Sequence, residues 1–272
     1  MPDTWRPGFL DDIPLFDVFR RAGASIGARR DWPGLREWNE LVAAGPGIAS
    51  GGGKPLSFVP QDGKPQRMED SYEGRIYLTG EVQTRTENWH DFFNALVWLA
   101  FPHAKRTLNA RHFDTLSADF AGARRGQSRD ALTLFDESGI AVFYGDAELA
   151  QLLREHRWKE LFWTRREEVL ERMRFVVFGH SLHEKALNPY IGLTGKGLLL
   201  EAGADFFSLP PQEREAVMDH RIAACFAAGS RLTSRDLTPI PLLGVPGWWS
   251  DNEDAAFYEN SEYFRPLRRE QK

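Results

Sequence analysis

The most apolar run of the chain carries polar groups that are costly to bury. Residues 88–102 combine aromatic and aliphatic side chains with His90, Asp91 and Asn94. The pattern predicts a helix that is capped by Thr86 and ends at Pro102, because the residue before a proline disfavours helical geometry. A buried polar group needs a hydrogen-bond partner. This helix should therefore meet a polar network or line a site.

Polar residues recur at helical spacing in three segments of the chain. The three sets are Glu87, His90, Asp91 and Asn94; Lys105, Asn109 and His112; and His180, His183 and Glu184. Residues three or four positions apart share one face of a helix. If the first two helices pack antiparallel across Pro102, their polar faces meet.

The rest of the pattern predicts further helices and a few short strands. Short strands are expected at 56–60 and 72–80, and a hairpin is expected over 130–144 with its turn at 136–139. Helices are expected at 31–41, where Asp31 is the cap, and at 104–116, 147–154, 158–173 and 211–228. Proline and glycine are too frequent in 238–249 for regular structure, so we expect an extended tail anchored by aromatic side chains.

These elements predict a mostly helical α+β fold in a single domain, with one or two small β-hairpins and an extended C-terminal tail rich in Pro, Gly and Trp. Within residues 1–272 we expect an N-terminal helical segment at 1–44 and a glycine-rich connector at 45–55. The body is expected at 56–237 and the wrapping tail at 238–272. The 272 residues suffice for one large core.

Composition narrows the class of partner and the compartment. The chain is 42% apolar and 27% charged with a net charge of −5, which excludes a disordered chain and gives no basic signal for nucleic acid or membrane binding. The composition is compatible with a small-molecule ligand. One cysteine, Cys225, excludes an internal disulfide and a cysteine-based zinc site. No signal-peptide pattern is evident, so we expect a cytoplasmic protein.

The three polar faces together suggest a reactive centre. Imidazole and carboxylate ligands suit zinc, iron or manganese, and a metal such as zinc is the cofactor that these residue types indicate. A His paired with a carboxylate could also act as a general base without metal. We expect the catalytic residues to be His90, Asp91, His180 and Glu184. The expected metal ligands are His90, His112, His180 and Glu184.

The alternative function is a non-catalytic binding or scaffold protein whose buried polar residues only specify packing. No sequence motif decides between the two. The segment Gly51–Lys54 lacks the spacing of a phosphate loop, and the His-Glu-x-x-His zinc signature is absent from the sequence. Asp136 and Glu137 are expected in a solvated turn. Three arginines are expected in a solvated loop: Arg124, Arg125 and Arg129.

Several long motifs resemble a bacterial family known only as domain of unknown function 3025. The motifs lie at residues 88–98, 108–112, 129–137, 178–180 with 184–185, and 244–249. The resemblance implies one family-length domain over most of the chain. It implies no activity, cofactor or catalytic residue. His183 stands where the pattern favours an apolar residue, which makes it the weakest member of any site.

Overall fold

The fold comes from a computed structural model that describes residues 3–45, 47–63, 67–120, 127–230 and 232–267. The side chains of residues 118–130 fall outside this description, and with them the arginines of the predicted basic loop. The fold is mostly helical α+β with two small sheets. Among the described residues, no helix is both long and apolar enough to cross a lipid bilayer.

The N-terminal segment consists of short helices. Two 3-10 helices, Phe9–Asp11 and Pro14–Phe19, precede α1 (Ala24–Gly27) and α2 (Leu35–Ala44). The cap of α2 is Gly34 and not Asp31, because the Glu37 side chain accepts a hydrogen bond from the Gly34 backbone amide at 3.0 Å. Aromatic side chains of this segment pack on the later helix that carries Phe93.

A two-stranded parallel sheet follows, and it frames one helix. Strands β1 (Ser57–Pro60) and β2 (Glu81–Thr84) pair in parallel. Between them lies α3 (Tyr72–Thr79), so the strand predicted at 72–80 is wrong. The Ser71 hydroxyl accepts a hydrogen bond from the backbone amide of Gly74, and Gly80 ends the helix at φ 82°. These two caps define a helix in a segment whose short length and residue types had suggested a strand.

The apolar run forms α4 (Trp89–Ala100), and α5 (Pro102–Phe120) follows directly. The predicted break at Pro102 is confirmed, with proline at the first position of the new helix. The cap of α4 is Asn88 and not Thr86, because the Asn88 side chain accepts a hydrogen bond from the amide of Asp91 at 3.1 Å.

The larger sheet has four strands in the order β4-β3-β5-β6. The strands are β3 (Gly139–Tyr144), β4 (Met173–Val177), β5 (Thr194–Glu201) and β6 (Thr238–Pro241). Every residue of β3 is buried, as expected for a central strand. It pairs in parallel with β5 and antiparallel with β4.

The hairpin predicted over 130–144 is wrong. Its first half belongs to α6 (Gln127–Ser138), which leads into β3 without a turn. Strand β3 finds its antiparallel partner β4 only after α7 (Ala147–Arg154), a π-helical segment (Glu160–Thr164) and α8 (Arg166–Arg172). Residues 136–139 have a turn-like sequence, but the pairing of β3 with distant strands places them at the junction of α6 and β3.

The final part of the chain adds helices and the last two strands of the larger sheet. It begins with α9 (His180–Ala186), and α10 (Ala204–Ser208) and α11 (Pro211–Cys225) lie between β5 and β6. The tail does contain regular structure, since residues 238–241 form strand β6 although two of them, Pro239 and Pro241, are prolines. A sheet edge tolerates proline, and β6 is an edge strand. Buried hydrophobic residues form one cluster that extends from Phe9 to Phe264.

Candidate metal centre

A polar pocket of about 380 Å³ lies where α3, α4, α5, α6 and α9 meet. Its lining residues are mostly charged or hydrogen-bonding: Gln61, Tyr72, Glu73, Gln83, Arg85, His90, Asp91, Asn94, His112, Leu116, Thr133, Asp136, Glu137 and His180. Four of these are carboxylates, so the pocket concentrates acidic side chains beside the apolar core.

Two histidines face each other across the pocket. His90, in the first turn of α4, and His180, the first residue of α9, place their Nε2 atoms 3.0 Å apart. Glu184 Oε2 lies 3.1 Å from Nδ1 of His90. Because the carboxylate accepts a hydrogen bond from Nδ1–H, the lone pair of a neutral His90 is on Nε2. That lone pair faces His180 and the pocket.

Glu137 completes the first group of ligand-type atoms. Its Oε1 lies 3.7 Å from Nε2 of His180. One ligand atom each from His90, Glu137 and His180 lies within 4.8 Å of the other two. Two nitrogens bound to one tetrahedral zinc at about 2.0–2.1 Å lie about 3.3 Å apart. The separation of the two imidazoles therefore suits a shared cation.

A second group lies in the same pocket and comprises Glu73, His112 and Asp136, again with ligand atoms within 4.8 Å of one another. Glu73 lies on α3 and His112 on α5. Asn109 holds the Glu73 carboxylate through a hydrogen bond of 2.7 Å from its Nδ2. Asp136 and Glu137 are consecutive residues at the end of α6, so that helix contributes one carboxylate to each group.

A buried ammonium group fixes Asp136. Lys105 Nζ donates to Asp136 Oδ1 at 2.6 Å and to Asn94 Oδ1 at 3.1 Å. Asn94 in turn donates to the Tyr72 hydroxyl at 2.6 Å. The polar faces of α4 and α5 thus meet as the sequence predicted, and the contact extends to α3 and α6.

The site holds its groups in different protonation states. The hydrogen bond to Glu184 raises the pKa of His90, and the same bond lowers the pKa of Glu184. Burial lowers the pKa of His180 to about 4 and raises the pKa of Glu137. Burial alone would raise the pKa of Asp136 too, but nearby cationic groups, with Lys105 foremost, lower it to about 2. At neutral pH the His180 imidazole is therefore uncharged and the Asp136 carboxylate is ionised.

The structure brings only some of the predicted site residues together. His90 and His180 come together, whereas His112 lies in the second group. Glu184 contacts Nδ1 of His90 and belongs to neither group of ligand atoms. Asp91 pairs with Arg85, whose guanidinium donates to both carboxylate oxygens at 2.8 and 2.9 Å.

Two other polar residues of the predicted faces lie elsewhere. His183 points into the core, where it is fully buried among phenylalanine rings and its Nδ1 donates to the Gly179 carbonyl at 3.0 Å. Glu87 precedes the cap of α4 and is exposed, so it takes no part in the helical face. Neither residue lines the pocket.

Three carboxylates of the pocket were missed: Glu73, Asp136 and Glu137. The expectation of a solvated turn at Asp136 and Glu137 is wrong, because they end a helix that packs against α9. The signal was present, since Ala131, Leu132 and Phe135 follow a helical spacing and are buried. Glu73 had no such signal within its own segment.

The comparisons with known proteins agree with the resemblance seen in the sequence. The model of the family described as "Protein of unknown function (DUF3025)" matches residues 56–268. Every residue that lines the polar pocket falls inside this range. Neither the curated proteins nor the solved structures contain a match.

Proposed function

The chain belongs to the DUF3025 family, and from that premise we propose that its polar pocket binds a divalent metal ion and catalyses hydrolysis. The observation that carries the proposal is the convergence of three ligand-type atoms, Nε2 of His90, Nε2 of His180 and a carboxylate oxygen of Glu137. They come from three helices that are remote in sequence, and they border an open cavity.

The three groups match the chemistry of a catalytic metal site. Two imidazoles and one carboxylate form a set that zinc accepts, and three protein ligands leave one position for water or substrate. Glu184 adds the carboxylate that commonly holds the second nitrogen of a metal-binding histidine. Because that carboxylate orients the ring, it fixes Nε2 of His90 toward His180.

A bound zinc-class cation supplies a Lewis acid that makes water acidic enough to serve as a nucleophile near neutral pH. The protein's own groups prepare the rest of the site. Lys105 holds the Asp136 carboxylate in its ionised form. Arg85 also lines the pocket, where its guanidinium is held by Asp91 and can orient an anionic substrate.

A metal-free mechanism is the second candidate, and the His90–Glu184 hydrogen bond favours it. That pair raises the pKa of His90, which suits a general base or acid near neutral pH. A purely structural role of these polar residues explains the pocket less well. A network that only satisfies hydrogen bonds has no need of a cavity, whereas this one surrounds about 380 Å³ of space.

The test is metal content together with a hydrolase panel. Wild-type protein should carry one or more equivalents of divalent metal by elemental analysis and should hydrolyse at least one of a phosphatase, esterase or peptidase panel. His90→Ala should lose bound metal and activity, and the exposed His220→Ala on α11 is the matched control. A protein that neither binds metal nor hydrolyses any substrate would overturn the proposal. Metal-independent activity that His90→Ala abolishes would replace it with the general-base mechanism.

A further inference from the structure

We propose that the pocket binds a second divalent cation between Glu73, His112 and Asp136, so that the site holds two metal ions. This inference rests on the proposed function and extends it to a second ion. Carboxylate-rich sites with one imidazole suit a first-row cation such as Mn²⁺. Two-metal sites clamp both the attacking and the leaving oxygen in phosphate and peptide hydrolysis.

The charge balance of the pocket calls for more than one cation. Its immediate carboxylates are Glu73, Asp91, Asp136, Glu137 and Glu184. Asp91 pairs with Arg85, Asp136 pairs with Lys105, and Glu184 bonds to His90.

Two carboxylates are left without a cationic side chain. Within the described part of the chain, no lysine or arginine forms an ion pair with Glu73 or Glu137. The nearest imidazole to Glu137 belongs to His180, which is almost wholly buried. Each ligand group contains one of these two carboxylates. Because each of these carboxylates faces the pocket without a cationic side chain, each group can bind its own cation.

His112 points to a ligand independently of the charges. Its side chain is only 9% exposed, yet its ring makes no hydrogen bond to any described residue. The ring lines the pocket, with Glu73 and Asp136 within the reach of one ion. Its unbonded ring nitrogens therefore reach the pocket, where a cation can bind a lone pair.

The two groups are neighbours because α6 joins them. Asp136 and Glu137 are consecutive, so the second group lies beside the first. Lys105 binds only Oδ1 of Asp136, and Oδ2 of that carboxylate lies 4.0 Å from Nδ1 of His180. One oxygen of Asp136 is therefore free to bind a cation while the other is held by the lysine.

The test is a titration of the protein with Mn²⁺, in which calorimetry measures the number of bound ions and electron paramagnetic resonance measures their magnetic coupling. Wild-type protein should bind two equivalents and show the exchange-broadened spectrum of two adjacent ions. His112→Ala should bind one equivalent and show the six-line spectrum of an isolated ion. His112→Gln is a second variant that guards against misfolding, and the exposed His220→Ala should bind two equivalents like the wild type.

The outcomes separate this inference from the proposed function. One equivalent in the wild type, lost in His90→Ala but retained in His112→Ala, would overturn the second site and leave the first. Two equivalents without magnetic coupling would overturn the two-metal arrangement. Absence of binding in every variant would overturn both proposals. Loss of one equivalent and of coupling in both His112 variants, with unchanged thermal unfolding, would establish the second site.

Discussion

Glu184 determines which nitrogen of His90 faces the pocket. Its carboxylate accepts from Nδ1, which leaves Nε2 directed at His180. The residue was predicted as a direct metal ligand because it lies one helical turn after His180. Its contact with His90 instead gives it an orienting role, and sequence spacing alone does not distinguish these two roles.

We expect Glu184→Gln to weaken metal binding about 10- to 100-fold, as for other carboxylates that orient a metal-bound histidine. The amide still accepts a hydrogen bond from Nδ1 but carries no charge. Competition of the protein with a chromophoric chelator measures the affinity. Glu171→Gln, an exposed change on α8, should leave it unaltered. Equal affinities for the two variants would show that Glu184 has no part in the site.

His183 makes stability depend on pH. Burial lowers its pKa to about 3 in the folded protein, whereas an unfolded histidine has a pKa of about 6.5. Between these values the unfolded chain binds the extra proton. Stability from this residue is therefore complete above about pH 6.5 and falls as the pH decreases, by roughly 1.4 kcal/mol per pH unit.

His183→Leu should remove this part of the acid sensitivity. Its urea midpoint should decline less than that of the wild type between pH 7.5 and pH 4.5, because one proton fewer is taken up on unfolding. His180, whose pKa burial lowers to about 4, keeps part of the slope in both proteins. Parallel midpoint curves for wild type and variant would contradict the assignment. His220→Leu, an exposed change, is the control.

Helices α6 and α9 approach so closely that only glycine fits at their contact. A Cβ atom on Gly179 would lie 2.5 Å from the carbonyl oxygen of Glu137 and from the backbone of Ser138. This contact sets the distance between His180, at the start of α9, and the two carboxylates at the end of α6. The glycine thus has a positioning role that depends on the backbone alone.

Gly179→Ala should separate the two helices and cost about 1–3 kcal/mol of stability, the usual range for overpacking. It should also weaken metal binding, because His180 moves away from Glu137. Urea unfolding and metal titration measure the two effects. Gly203→Ala is the control, since a Cβ there meets no atom within 4 Å. Unchanged metal affinity in Gly179→Ala would show that the helix contact does not position the ligands.

The lysine that joins α4, α5 and α6 makes the pocket sensitive to single changes. Lys105 is nearly buried and neutralises Asp136. In the presence of a chelator, Lys105→Met should cost about 3–5 kcal/mol, because it leaves a buried charge without a partner. The double variant Lys105→Met/Asp136→Asn should recover part of this loss, as measured in a double-mutant cycle of urea unfolding. Lys159→Met, which breaks the exposed ion pair with Glu259, should cost under about 1 kcal/mol. Additive effects at Lys105 and Asp136 would contradict the coupling.

Elements with strong local signals could be predicted from the sequence. The break between α4 and α5 follows from Pro102, and the helical faces of Asn94 and Lys105 do meet. The helix at 72–79 was missed because a short segment that contains Ile76, Tyr77 and Thr79 and ends at a glycine resembles a strand. The hairpin at 130–144 was predicted from a turn-like sequence that tertiary packing places at a helix end.

The whole molecule assembles its pocket from segments that are far apart in sequence. Glu73, His90, His112, Glu137 and His180 come from five helices. The three histidines could be selected because each shares a helical face with other polar residues. Their carboxylate partners could not be selected among 39 acidic residues, because no local pattern reports which helices will be neighbours.

The N-terminal segment should be indispensable for stability, because it covers the apolar side of α4. Phe9, Phe16 and Phe19 are fully buried, and the rings of Phe9 and Phe16 pack on Phe93 at 5.5 and 5.7 Å. A chain of residues 45–272 should expose this surface, bind a hydrophobic dye and unfold without the cooperative transition of the full chain. A truncated chain with the full-length melting temperature would instead mark residues 1–44 as a separate unit. That result would also refute the predicted single domain.

Helix α9 carries His180 toward the pocket and His183 toward the N-terminal segment, where Phe19 lies 4.5 Å and Phe16 lies 6.1 Å from its ring. His183 falls within residues 56–268, which the family model matches, whereas the two phenylalanines lie before that range. The consequence is evolutionary: a histidine at position 183 and an aromatic cover from the N-terminal segment should be inherited together. Relatives without that cover should carry an aliphatic residue there, and their alignment would show the two features changing in concert.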